Sequence, residues 1–153
     1  MKILLVEDDK FFREFYAFKL KEKGIEVGQA GDGIEALKII PEFKPDIILL
    51  DLIMPNKDGF ELLQDLKQDT TLSQIPVLVF STLGQQKDVD RSLQLGAKGY
   101  VNKSFFDFDN LLKMILQLTK NPWYMIHNSW LIIHDSYLPM LISDDKIKSI
   151  LLD

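Results

Sequence analysis

The stretch IILLDLIMP at residues 47–55, followed by Gly59, decides the interpretation of the whole chain. Its first four residues are apolar β-formers, a pattern typical of a strand buried on both faces in the middle of a parallel sheet. Asp51 is the first charge after that run, so it is placed at the carboxyl end of the strand, where open α/β sheets bind ligands. Pro55 and Gly59 predict an irregular loop before the next helix. The pattern makes Asp51 a candidate nucleophile.

Apolar runs elsewhere in the chain predict four more strands, each followed by residues at helical spacing. The predicted strands cover residues 3–6, 25–30, 77–80 and 98–101. Strands that alternate with helices form parallel sheets with right-handed crossovers. We therefore predict an α/β fold with a five-stranded parallel sheet in the flavodoxin-like order 2-1-3-4-5 and helices on both faces.

The helices can be assigned from their apolar positions and their end signals. The first begins at Lys10 with Asp9 as its cap, ends at Gly24, and shows an apolar face made of Phe11, Phe12, Phe15, Tyr16 and Leu20. Pro41 is predicted to end the second helix. The last is predicted over 105–119, because apolar residues recur there at helical spacing.

In the predicted strand order, polar residues from four strand ends meet in one crevice: Glu7, Asp8, Asp51, Ser81 and Lys103. Taken singly, the acids could be a helix cap or a turn residue. Together, three carboxylates need a cation, and oxygen ligands without His or Cys select Mg²⁺. Asp51 could then attack a phosphoryl group, whose charge would be met by Lys103 and the Ser81 hydroxyl.

Composition excludes several other classes of protein. The chain has 153 residues, 46% hydrophobic content, a net charge of −5 and no cysteine. Without clustered Lys and Arg, we expect no nucleic-acid binding by this chain alone. Without cysteine or a long apolar run, we expect no disulfide, no thiolate metal site, no membrane segment and a cytoplasmic location.

Four motifs resemble those of the receiver domain of two-component response regulators. They are VEDD at 6–9, LDLIMP at 50–55 with Gly59, PVLVFST at 76–82 and GAKGYVNK at 96–103. The resemblance covers residues 1–120. It is to a chemotaxis-regulator-like receiver domain, which acts without a fused effector domain. It implies a phosphoprotein that acts in signal transduction or a phosphorelay and is a switch rather than a turnover enzyme.

The resemblance also implies roles for individual residues. Asp51 would accept a phosphoryl group from a histidine kinase or phosphotransfer protein, and Lys103 would bind the phosphoryl group. Mg²⁺ would be held by Glu7, Asp8, Asp51 and the backbone carbonyl of Ile53. Ser81 and Tyr100 resemble the switch pair, which would alter the surface of the fourth helix, fifth strand and fifth helix for a downstream protein target.

Two departures from the family pattern carry expectations of their own. Ser104 stands where the family usually has a proline after the lysine, and a non-proline cis peptide is costly, so we expect a trans Lys103–Ser104 bond. Ile53 and Leu83 are apolar at positions that in the family influence water access to the acyl phosphate. We therefore expect slow autodephosphorylation.

Residues 121–153 form a C-terminal extension outside the resemblance. Apolar residues recur there at helical spacing in a seam that starts after Pro122 and is interrupted at Pro139: Trp123, Ile126, Trp130, Ile133, Tyr137 and Met140. It could fold back on its own domain, form a homodimer or partner contact, or be disordered. His127 and His134 lack an acidic third ligand, so no metal site is expected there.

Three rival functions fit the residues less well than that of a receiver domain. A haloacid-dehalogenase-type hydrolase would need a second Asp two residues after the nucleophile, where this chain has Ile53. A flavin or nucleotide binder would need a phosphate loop after the first strand, where the acids at 7–9 would repel phosphate. A receiver that binds partners without phosphorylation would not need the complete site.

Overall fold

The computed structural model describes residues 1–120 and 132–133. The five predicted strands form one parallel sheet in the order β2-β1-β3-β4-β5, as the sequence predicted. Their bounds are β1 Lys2–Val6, β2 Glu26–Ala30, β3 Ile47–Leu50, β4 Val77–Ser81 and β5 Gly99–Asn102. The weakly patterned β2 lies at the edge and the fully apolar β3 lies in the centre, in keeping with their sequences.

Five helices cover both faces of this sheet. They are α1 Lys10–Glu22, α2 Gly33–Phe43, α3 Gly59–Gln68, α4 Gln86–Gln94 and α5 Phe108–Lys120. One core lies between the sheet and α1 and α5, and the other lies between the sheet and α2, α3 and α4. Both faces of β3 are therefore buried, which fixes Asp51 at the carboxyl end of a central strand.

The predicted apolar face of α1 is largely wrong. Ala17 and Leu20 face the core, whereas Phe11, Phe12 and Phe15 are exposed to solvent. Apolar residues stand at so many positions of this helix that its periodicity does not define which side is buried. Packing against β1 and β2 selects the side with the small Ala17.

Two predicted helix ends also differ from the structure. Pro41 does not end α2; it removes only its own hydrogen bond, and the helix continues to Phe43, whose ring packs against Gly28. The second difference is at the start of α5: Lys103–Phe105 form a 3-10 turn, so α5 does not start at Phe105. It follows Asp107, whose carboxylate accepts a hydrogen bond from the backbone N–H of Asn110 at 2.9 Å.

A two-residue strand, β6 Ile132–Ile133, adds to the sheet parallel to β5. These residues lie inside the stretch for which the sequence indicated a helix, and they are extended instead, as β-branched residues favour. The rest of the predicted seam, with His127 and His134, lies outside the described residues. Among the described residues, no helix is long and apolar enough to cross a bilayer.

Gly59 allows α3 to start against the strand that carries Asp51. A Cβ at this position would lie 2.3 Å from the Asp51 carbonyl oxygen and 2.7 Å from the Leu52 Cα, so backbone would have to move. We expect Gly59→Ala to lower the free energy of unfolding by about 2 kcal/mol, as overpacking does. Urea unfolding would measure this loss.

Gly33→Ala is the matched control, because Gly33 is also the first residue of a helix. Its Cβ would meet Lys57 side-chain carbons at 2.7 and 2.9 Å and the Lys57 carbonyl oxygen at 3.0 Å, so its closest contacts are with a side chain and its backbone contact is longer than the 2.3 Å at Gly59. A smaller loss is therefore expected. Equal losses for the two variants, or an unchanged Gly59→Ala protein, would contradict the close backbone contact.

Candidate functional site

Three carboxylates meet at the carboxyl ends of β1 and β3. Glu7 and Asp51 are buried, at 2% and 6% exposure, whereas Asp8 is exposed. Each residue offers a carboxylate oxygen, and these oxygens lie within 4.8 Å of one another. The structure therefore brings together the three acids that the strand order predicted to meet.

Lys103 reaches this cluster from the end of β5. Its Nζ donates to Asp51 Oδ2 at 2.7 Å and also contacts Glu7 Oε2. Burial alone would lower the pKa of Lys103, but its hydrogen bonds with Asp51 and Glu7 outweigh this effect and raise the pKa. The ammonium is thus charged and offsets part of the negative charge of the two buried carboxylates.

Burial acts in the opposite direction on the acid. It raises the pKa of Glu7, and the hydrogen bond and charge of Lys103 only partly oppose it. The sequence suggested Lys103 as a phosphate-binding cation, but the bridge between Glu7 and Asp51 was not predicted. Glu7 and Asp51, which are both buried, thus share the Lys103 ammonium as their counter-charge.

The donor set fits a hard divalent cation. Carboxylate oxygens from three residues surround one small volume, and neither His nor Cys is among them. Mg²⁺ is bound through one or two carboxylates and keeps several waters, which suits an exposed Asp8 beside Asp51. The backbone N–H of Ile53 donates to Asp51 Oδ1 at 3.3 Å, while the role of its carbonyl as a ligand stays a prediction.

Ser81 and Tyr100 are linked through the loop after β4. Ser81 is fully buried, and its Oγ accepts a long hydrogen bond from the Leu83 N–H at 3.4 Å. The Tyr100 hydroxyl donates to the Leu83 carbonyl at 2.7 Å. Burial raises the pKa of Tyr100 to about 12. Movement of Ser81 would therefore reach Tyr100 through Leu83.

The loop after Lys103 has the predicted backbone. No cis peptide occurs in the described part of the chain, so the Lys103–Ser104 bond is trans as expected. The Asn102 side chain accepts a hydrogen bond from the Ser104 N–H at 2.8 Å and starts the 3-10 turn. Local hydrogen bonding therefore shapes the position where the family usually has a proline.

Sequence reasoning missed several residues of α1 that shape the crevice. Arg13 Nη1 donates to the Glu7 carbonyl at 2.6 Å and to the Asp8 carbonyl at 3.2 Å, which fixes the loop that carries both acids. Phe12 and Tyr16 line the crevice together with Thr82. The sequence signal that could have indicated this role is that Arg13, a long side chain with several hydrogen-bond donors, lies within one turn of the predicted helix start at Lys10.

The model of the response regulator receiver domain family matches residues 3–116. The chain belongs to this family. The match covers β2 to β5, all but the first residue of β1, and the helices between them. Receiver domains are phosphorylation-dependent switches of two-component systems, as the sequence predicted.

Curated relatives and solved structures agree with this assignment. The chain is 34% identical over 119 residues to a DNA-binding dual master transcriptional regulator, RpaA of Synechocystis sp., covering 78% of this chain and 49% of that protein. It is 35% identical over 104 residues to the phosphate regulon transcriptional regulatory protein PhoB of Escherichia coli, covering 68% and 45%. This receiver domain thus spans about half the length of the curated relatives it matches.

Among solved structures, a Francisella response regulator receiver domain has 34% identity and a TM-score of 0.71, covering 78% of this chain and 96% of that one. The BeF3-activated receiver domain of RstA from Klebsiella pneumoniae has 30% identity and a TM-score of 0.73, covering 79% and 100%. Neither similarity extends over the whole of residues 121–153.

Proposed function

We propose that Asp51 accepts a phosphoryl group from a histidine kinase or phosphotransfer protein and that this receiver domain thereby changes a protein-binding surface. The observation that carries the proposal is the Lys103 ammonium, which contacts both Glu7 and Asp51 within a cluster of three carboxylates. Such a cluster favours a cation, and a phosphoryl group beside it would find its charge neutralised.

The chemical step uses one oxygen of Asp51 as the nucleophile. That oxygen forms a bond to phosphorus, and the bond from phosphorus to the donor's histidine nitrogen breaks, with the electron pair leaving on that nitrogen. Glu7, Asp8, Asp51 and the Ile53 carbonyl would hold Mg²⁺, which supplies charge neutralisation at the phosphoryl oxygens when bound. Lys103 would exchange part of its contact with the carboxylates for the new phosphoryl oxygens.

The switch follows from the hydrogen bonds of the loop after β4. A phosphoryl group adds about one and a half to two negative charges, which would attract the Ser81 hydroxyl. Since Leu83 contacts both Ser81 and the Tyr100 hydroxyl, its displacement would change the surface of α4, β5 and α5. A downstream protein would recognise that surface.

A chemotaxis-type mode of action, through protein contacts and in the cytoplasm, remains part of this proposal. Two structures of the chemotaxis regulator CheY4 of Vibrio cholerae are similar, at 29% identity and TM-scores of 0.71 and 0.70. The curated relatives described above are transcriptional regulators instead. The domain would catalyse only its own phosphorylation and dephosphorylation.

Incubation with Mg²⁺ and acetyl phosphate tests the proposal directly. Intact mass is expected to show the addition of one phosphoryl group, and EDTA should prevent it, because the acids would then repel the donor. Absence of the adduct with acetyl phosphate and with a phosphorylated histidine protein would overturn the proposal. After donor removal, the adduct should persist well beyond seconds if Ile53 and Leu83 slow its hydrolysis.

A further inference from the structure

Four phenylalanines of α1 are exposed although they are large and apolar. Phe11 is 71%, Phe12 44%, Phe15 43% and Phe18 61% exposed. Phe11, Phe15 and Phe18 stand at i, i+4 and i+7, so they form one stripe along the helix. The rings of Phe11 and Phe15 stack with centroids 6.5 Å apart. We call Phe11, Phe12, Phe15 and Phe18 the aromatic stripe.

Exposed apolar patches of this kind mark interaction surfaces. Each buried phenylalanine ring removes a large apolar area from water, so coverage of the aromatic stripe would be favourable. Phe12 also lines the crevice with Asp51, so whatever covers the stripe would lie beside the acidic cluster.

The chain itself offers an occupant. Residues 134–153 contain apolar residues in two groups, at 137–142 and 147–152, separated by Asp144 and Asp145. This segment has four acidic and two basic residues, a net charge of −2, whereas residues 10–23 have five basic and two acidic residues, a net charge of +3. Apolar content and charge are therefore complementary.

The place where the segment leaves the sheet makes the contact possible. Because β6 is parallel to β5, its last residue, Ile133, lies at the same end of the sheet as the crevice and the start of α1. Four strand spacings separate β6 from β1, about 19 Å. Twenty residues can span up to about 65 Å, so the segment reaches the stripe. Its tether also gives it a high effective concentration there.

We propose that residues 134–153 bind in cis to the aromatic stripe of α1. The apolar residues of the segment cover the phenylalanines, and its acidic residues face the basic side chains of α1, among them Lys19, which lies 5.9 Å from the Phe15 ring centroid. This contact goes beyond phosphoryl transfer and does not require it.

Paramagnetic relaxation in the full chain tests this placement. The chain has no cysteine, so Ser149→Cys gives a single attachment point for a nitroxide. We expect broadening of the backbone amide signals of α1, and its loss in a Phe11→Gln/Phe15→Gln variant. Gln is a good helix former and both sites are exposed, so the variant should fold. Phe105→Gln, at another exposed phenylalanine, is the matched control and should retain the broadening.

In the labelled full chain, the inference would be overturned by no broadening on α1, by broadening confined to another surface, or by broadening that Phe11→Gln/Phe15→Gln leaves unchanged. A mixture of isotope-labelled chains without nitroxide and unlabelled chains with nitroxide shows whether the segment of a second copy, rather than the chain's own segment, covers the aromatic stripe. If α1 were broadened in that mixture as strongly as in the chain that carries both labels, a second copy would cover the stripe, which would contradict binding in cis.

Discussion

Asp51→Asn is expected to abolish phosphoryl transfer to this receiver domain while leaving it folded. An amide oxygen is a poor nucleophile and cannot form the acyl phosphate. The substitution keeps the shape of the side chain and an acceptor for the Ile53 N–H. It also removes one of three clustered negative charges, and Lys103 keeps Glu7 as its partner. Intact mass after Mg²⁺ and acetyl phosphate should show no adduct.

Asp46→Asn is the matched control for this experiment. Asp46 precedes β3 at the opposite end of the strand, where its carboxylate accepts a hydrogen bond from the Lys2 N–H at 2.7 Å. It should be phosphorylated like the wild type, and thermal unfolding should show both variants folded. Undiminished phosphorylation of Asp51→Asn would assign the acceptor role to another residue.

The strand order and the meeting of the acids could be predicted because they follow from patterns along the chain. The continuous apolar runs before Glu7 and Asp51 identify buried parallel strands, and the topology then brings the strand ends together. Asp9 as a cap could also be predicted, since capping is local; its carboxylate accepts from the Phe12 N–H at 3.1 Å.

Features that depend on a choice between tertiary contacts could not be predicted. Phe11, Phe15 and Leu20 are equally apolar, and only packing on the sheet decides that Leu20 is buried and the phenylalanines are not. The extension of α2 beyond Pro41 likewise depends on the contact between Phe43 and Gly28. Periodicity contains neither piece of information.

The bridge that Lys103 forms between Glu7 and Asp51 also could not be predicted from the sequence. Three carboxylates indicate that some cation is needed, but sequence spacing does not say whether it is a metal ion or an ammonium. The structure shows that an ammonium already contacts Glu7 and Asp51. Lys103 and a bound Mg²⁺ would therefore share the same carboxylates, which makes the lysine the most informative residue to remove.

Lys103→Gln is expected to destabilise the domain without divalent cation by about 3 kcal/mol, since loss of one partner leaves buried charges uncompensated. Glu7 and Asp51 would face each other without a counter-charge. Phosphorylation by acetyl phosphate should slow by roughly 100-fold, as for the loss of one transition-state donor. Urea unfolding in EDTA and the rate of adduct formation measure the two effects.

Mg²⁺ distinguishes this explanation from simple loss of packing. A ligand that binds only the folded state stabilises it more when it binds more tightly. Without the competing ammonium, Mg²⁺ should therefore stabilise Lys103→Gln more than the wild type. Lys57→Gln is the matched control: its partner Asp65 is 38% exposed, so the variant should lose far less stability than Lys103→Gln. If Mg²⁺ stabilised Lys103→Gln and the wild type equally, the lysine and the metal would not share carboxylates, and the loss of stability would have to come from packing of the lysine stem.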